Sequence, residues 1–209
     1  MAVARNARAR PRPYRQKARA ESKAGTRQRI IEAAVALHLE RGPAQTSINA
    51  VAERAGVNRV TVYRHFPDVR TLLEACSSHA QRLNPPPDLV AWRGIGDARE
   101  RLGAALPQLY DYFRRTEAGW ANVLRDAELA PLVKEMVEQR RLTYLREARD
   151  VLLAGWPVAR TRRPLLRAVL GLAVDFRTWQ TLVRHEGLDD RTAAALMVRL
   201  ATAVGGQVA

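Results

Sequence analysis

Along most of the chain, apolar residues recur with a period near 3.6 and charged or polar residues fill the positions between them. This is the spacing of a helix with one buried face. Ile30, Ala33, Ala34 and Leu37 predict a first helix from about Thr26 to Arg41, which Gly42-Pro43 stops. Ile48, Val51, Ala52 and Ala55 repeat the spacing on a short second helix, with Ser47 as its N-cap and Gly56 at its end. Asn58 caps a short third helix that reaches about Phe66. Pro67-Asp68 breaks the pattern and opens a fourth helix, whose Leu72, Leu73 and Ala75 turn towards a core. Asn84-Pro85-Pro86-Pro87 cannot be helical and marks a boundary between residues 24–80 and residues 81–209.

The second half continues the helical pattern. One helix is expected from Asp97 to Arg115, with a kink at Pro107, and a short one over about Glu117 to Glu128. Pro131 suits the first turn of a long helix reaching about Gly155. Another runs from about Arg162 to His185, ended by Gly187, and a last from Asp189 to Val204 before Gly205-Gly206. No stretch alternates polar and apolar residues or carries hairpin turns, so no sheet is predicted. The expected fold class is all-α: an N-terminal three-helix unit with a helix-turn-helix, then a larger helical domain.

Composition narrows the function. At 209 residues and 47% hydrophobic, the chain can bury a core. The longest apolar stretch, Leu165 to Val183, is interrupted by Arg167, Asp175 and Arg177, so no membrane span is expected. The single cysteine, Cys76, excludes a disulfide scaffold and a cysteine-based zinc cluster, and fits a reducing cytoplasm. His38, His79 and His185 stand apart, so neither a metal nor another cofactor is expected. The net charge of +14 favours a polyanionic partner such as nucleic acid. Half of that excess lies in residues 1–23, where Arg5, Arg8, Arg10, Arg12, Arg15, Lys17, Arg19 and Lys23 face only Glu21. This segment lacks apolar periodicity and is expected to be a disordered basic tail, serving either as a solubiliser or as an arm along DNA phosphates.

Within Ser47–Phe66, helix, glycine turn and helix make the geometry of a helix-turn-helix. Val62 and Phe66, with Val57 before them, suit burial against the first two helices. The opposite face carries Arg59, Thr61, Tyr63, Arg64 and His65, donors suited to base edges and phosphates. The same face on a small bundle could simply be solvated. The wider run TRQRIIEAAVALHLERGPAQTSINAVAERAGVNRVTVYRHFPDVRTLLEA adds Gly42 before Thr46-Ser47, the turn Ala55-Gly56-Val57, and Tyr63 with His65-Phe66-Pro67. From about Ala24 to Ala80 it resembles the DNA-binding segment of the TetR family of transcriptional repressors.

The resemblance implies a homodimer that sets the third helix of each subunit in the major groove of a palindromic double-stranded DNA operator. Ser47 would bond a phosphate, and Asn49 would reach a base or phosphate. Arg59 and Thr61 would read the groove, Arg59 most naturally a guanine. Tyr63 and His65 would hold phosphates, and Asn58, at the cap of the third helix, belongs with these contacts. The family often has a phosphate-binding lysine where this chain has Val69, so Arg70 or the tail would supply that contact. The resemblance also implies that the C-terminal helices form a small-molecule effector pocket and that the last two build an intersubunit bundle.

Tyr110, Phe113, Trp120, Phe176 and Trp179 are candidate pocket residues, although aromatics at helical spacing more often form plain core. Asp175 and Arg177 could orient a ligand, form an ion pair or face water. Cys76 could sense redox state or be inert. The expected function is a repressor released from its operator by a small molecule, the alternative being a constitutive or architectural DNA binder. No G-x-S-x-G, Walker, Rossmann or H-E-x-x-H pattern supports an enzyme.

Overall fold

A computed structural model describes residues 12–206, which form helices joined by turns, with no strand among the described residues. None of these helices is long and apolar enough to cross a membrane. The N-terminal unit comprises α1 (Arg12–Arg41), α2 (Ile48–Arg54), α3 (Arg59–His65) and α4 (Val69–Leu83). Its core joins Ile30, Ala34 and Leu37 of α1 to Val51, Val62, Phe66, Leu72 and Cys76. Three short polar side chains set its helix starts: Ser47, Asn58 and Asp68 accept from the backbone N–H groups of Ala50, Thr61 and Thr71. Gly56 takes φ +64° in the turn between α2 and α3, a conformation that costs glycine little.

The C-terminal domain comprises α5 (Leu89–Arg93), α6 (Ala98–Ala127), α7 (Pro131–Met136), α8 (Thr143–Leu153), α9 (Arg163–Ala173), α10 (Phe176–Gln180) and α11 (Asp190–Gly205). Leu106, Leu109 and Phe113 of α6, Leu152 of α8, Leu170 of α9 and Met197 of α11 meet in a second core.

Several expectations need correction. Helix α1 starts at Arg12, so residues 12–23 are helical rather than a disordered tail, while residues 1–11 lie outside the described residues. Lys, Arg, Ala, Gln and Glu favour helix, a formed helix extends without a new nucleus, and Pro13 sits in the first turn, where its missing N–H costs nothing. The helices expected over Asp97–Arg115 and Glu117–Glu128 are one, α6. No breaker separates them, and Pro107 lies exposed on its surface, where water can serve the carbonyl it leaves unpaired. The helix expected over Arg162–His185 is broken instead. Asp175 is the N-cap of α10, accepting from Thr178 N–H at 2.9 Å, and a π-helical segment, Thr181–His185, follows. A second π-helical segment, Val137–Leu142, joins α7 to α8 within the predicted long helix. Helix α5 follows the proline linker unannounced by the sequence and buries Trp92.

The two halves meet where the end of α1 runs onto the end of α6. Gly42 takes φ +96°, and a Cβ there would overlap the Arg125 and Asp126 side chains. Asn122 donates to the carbonyls of His38 (3.1 Å) and Leu39 (2.8 Å), and Arg125 to that of Arg41 (2.6 Å). The Leu39 and Arg41 carbonyls, at the end of the helix, need outside donors, while that of His38 also accepts from Gly42 N–H at 3.0 Å. Asp126, fully buried, accepts from Ala44 N–H at 2.8 Å and pairs with Arg125 at 2.8 Å. Its charge is therefore compensated on both oxygens.

Two outcomes follow from this junction. Gly42→Ala should lower unfolding stability by about 1–3 kcal/mol, from the left-handed backbone and the overlap together. An unchanged urea midpoint would show that the junction relaxes. Burial also pushes the His38 pKa down to about 4, against the pull of the Asp126 carboxylate, from its ordinary 6.5. Between those values the unfolded chain binds a proton that the folded chain refuses, so stability should fall as pH drops from about 6.5 to about 4. The expected loss is up to ~3 kcal/mol, and His38→Gln should flatten that part of the stability profile. The same slope in the variant would assign it to other groups.

Candidate nucleic-acid interface

Helix α3 stands with Val62 and Phe66 buried beneath it, the first fully inaccessible and the second 1% exposed. Those two side chains fix which face looks outward. Arg59, Val60, Tyr63 and Arg64 are exposed, and Thr61 and His65 are half-buried. Arg59 donates to the Tyr63 hydroxyl at 3.2 Å and its guanidinium lies 5.3 Å from that ring centre. The pair holds a planar five-donor group at the start of the helix, alongside a phenol. Ser47 and Asn49 are exposed at the start of α2. The oxygens of Ser47 and Asn58 are engaged in capping, so the structure assigns both side chains a folding role alongside any DNA contact.

His65 has its pKa lowered, first by partial burial and then by Arg64, Lys23 and Arg27. It is therefore neutral near pH 7, with one ring N–H to give. Arg27 lies over the Phe66 ring at 4.7 Å. Lys23 and Arg27 of α1 thus join Arg64 and His65 in one basic region. Sequence reading missed Arg27, because its charge sits on a helix judged only by its apolar stripe.

Arg70, expected to supply a phosphate contact, is held by an ion pair within the protein. Two of its guanidinium nitrogens donate to the two carboxylate oxygens of Glu135 at 3.0 and 2.7 Å, tying α4 to α7. The pair is bidentate and half-exposed, and its carboxylate already offsets the Arg70 charge. Arg177 likewise pairs with Glu128 on the surface at 2.8 Å. Asp175 is a helix cap, and Arg177 with Glu128 lines an open cleft between the end of α6 and α10.

The five aromatic pocket candidates are core. Tyr110, Phe113, Trp120, Phe176 and Trp179 are each at most 1% exposed. Phe113 meets Trp120 and Phe176 edge-on at 5.5 Å, and Trp120 stacks on Phe176 at 5.4 Å. The Tyr110 hydroxyl donates to the Ala173 carbonyl at 3.1 Å. A cavity of about 220 Å³ lies instead between the two halves. Leu39 of α1, Leu73, Cys76 and Ser77 of α4, Tyr112 and Arg115 of α6, and Val133, Met136, Arg140 and Arg141 beyond it are among its lining residues. Arg140 donates to Ser78 of α4 at 3.1 Å. Cys76 donates weakly to the Ile31 carbonyl, and burial pushes its thiol pKa up to about 12, which removes the thiolate a redox sensor needs. Nothing in the sequence marked this cavity, since its walls come from four separate helices.

Comparison with known proteins agrees with this geometry. Residues 30–76 match the family model described as bacterial regulatory proteins, tetR family. A curated HTH-type transcriptional repressor of Mycobacterium tuberculosis is 46% identical over 50 residues, which cover 24% of this chain and 27% of that protein. The chain thus matches about a quarter of that relative's length. An uncharacterized HTH-type transcriptional regulator of Pseudomonas putida is 38% identical over 67 residues, 31% of this chain and 50% of that protein. Among solved structures, a TetR-like transcriptional regulator from Rhodococcus superposes with TM-score 0.62 at 21% identity, covering 87% of this chain and 97% of that one. A tetR-family regulator from Streptomyces coelicolor gives 0.58 at 22% identity, covering 87% and 80%. Residues 30–76 thus match the tetR-family model through the helix-turn-helix, and the chain shares the overall helical fold of these solved structures.

Proposed function

We propose that this protein is a dimeric transcriptional repressor that binds a palindromic operator and is released by a small molecule in the cavity between its halves. The observation that carries the reading is the outward face of α3, with Arg59, Thr61, Tyr63 and His65 directed away from a buried Val62–Phe66 edge. Arg59 would take a guanine through its fork, and Tyr63 and His65 would hold phosphates. The basic region of Lys23, Arg27 and Arg64 would add sequence-independent attraction.

Dimerisation is supported by an apolar surface on α9 and α11. Leu165 and Leu172 are 60% and 56% exposed, and Leu200 is 46% exposed. Two such faces would cover each other and place two recognition helices on successive major grooves. Release by ligand is supported by the position of the cavity. A molecule between α4 and α6–α7 would favour one placement of α4, and α3 joins α4 through only a short turn. The constitutive reading would hold if no cavity ligand altered DNA affinity.

Selection of bound sequences from a random DNA pool at physiological salt tests the reading, with a palindromic consensus expected. Tight, salt-sensitive binding without a consensus would favour an architectural role. Arg59→Ala should cost about 1–3 kcal/mol and relax preference at one operator position; an unchanged specificity profile would remove Arg59 from base reading. Leu172→Asp should shift the sedimenting species from dimer to monomer and lower operator affinity at least about tenfold, since one half-site is left to bind. A dimer that survives the change would place the interface elsewhere.

A further inference from the structure

We infer that the cavity between the halves takes a small carboxylate with an apolar body, and that Arg141 receives its headgroup. The inference rests on the effector reading above and adds the chemical class of the ligand. No Asp or Glu lines the cavity, whereas three arginines do: Arg115, Arg140 and Arg141. Two of them are occupied. Arg115 pairs with Asp111 at 2.9 Å and donates to Asn84, and Arg140 donates to Ser78.

Arg141 is different. The residue keeps some exposed surface, but its Nη1 is buried without a hydrogen-bond partner. Its guanidinium lies 4.5 Å from the centre of the Trp120 ring. Burial disfavours its charged form, and no carboxylate offsets that. An arginine remains protonated in proteins, so a buried unpaired cation stands at the cavity wall. Trp120 holds the guanidinium from one side, and the edge that carries Nη1 is left without a partner in the protein. A planar carboxylate meets that edge with two parallel hydrogen bonds, which neither a neutral nor a cationic headgroup can match. Leu39, Leu73, Val123, Val133, Met136 and Val137 supply an apolar wall for the rest of the molecule.

The test uses the full chain and three chemicals that share one tail: octanoate, octanol and octylammonium. Calorimetric titration should give binding in the order octanoate, octanol, octylammonium, with octanoate at least tenfold tighter than octanol. Arg141→Met keeps the apolar stem and removes the charge. It should lose that preference while retaining octanol binding, and should melt at or above the wild-type temperature because an unpaired buried charge has gone. Equal binding of octanoate and octanol to the wild type, an undiminished octanoate preference in Arg141→Met, or no binding of any of the three would overturn the inference. A variant that melts well below wild type would show Arg141 to be structural and overturn it too. Operator release is read separately by fluorescence anisotropy. Octanoate that binds through Arg141 without releasing DNA would leave the anion site standing and overturn the effector reading alone.

Discussion

The architecture depends on how α6 closes the end of α1. A helix leaves its last carbonyls without partners, and here Asn122 serves that of Leu39 and Arg125 that of Arg41. Asp126 completes the closure by holding the turn at Ala44 and neutralising Arg125. The helix-turn-helix begins five residues after Gly42, at Ser47. The orientation of α2 and α3 on the C-terminal half is therefore set largely by one hydrogen-bonded joint, with lesser ties at α4, Arg70–Glu135, Ser78–Arg140 and Asn84–Arg115. Two separate hydrophobic cores are thereby held together.

The cavity follows from the same arrangement. Because α1 and α4 belong to one core and α6 to the other, the space between them is filled by neither. Its lining combines aliphatic side chains from both halves with arginines from α6 and the π-helical segment. A π-helical turn is wider than an α-turn and costs regular hydrogen bonding, and such turns concentrate at functional sites. Here one such segment carries Arg140 and Arg141 to the cavity wall.

The helix-turn-helix was legible in the sequence because its signals are local. Ser47, Asn58 and Asp68 each sit one residue before a helix, Gly56 lies in the turn, and Val62 and Phe66 share a face. The C-terminal half was legible only as helices, with wrong breaks. Asp175 lies inside an apolar run, and a capping aspartate there reads the same as a surface one until the chain is seen to turn. The continuity of α6 was hidden by polar residues around Thr116 that suggest a loop but contain no breaker. The aromatic cluster was correctly suspected of being core, yet the cavity went unnoticed because its walls are spread along the chain. Arg70 and Glu135 lie 65 positions apart, and no short-range pattern announces such a pair.

The joint at Gly42 and the outward face of α3 share no side chain. Asn122, Arg125 and Asp126 fasten the domains, while Arg59, Thr61 and Tyr63 look into solvent. Changes on the outward face leave both the closure of α1 and the wall of the cavity untouched. The protein is thus built as an exchangeable reading head on a fixed coupling. Substitutions at a few exposed positions can therefore change what α3 presents, with the packing of both cores carried over intact.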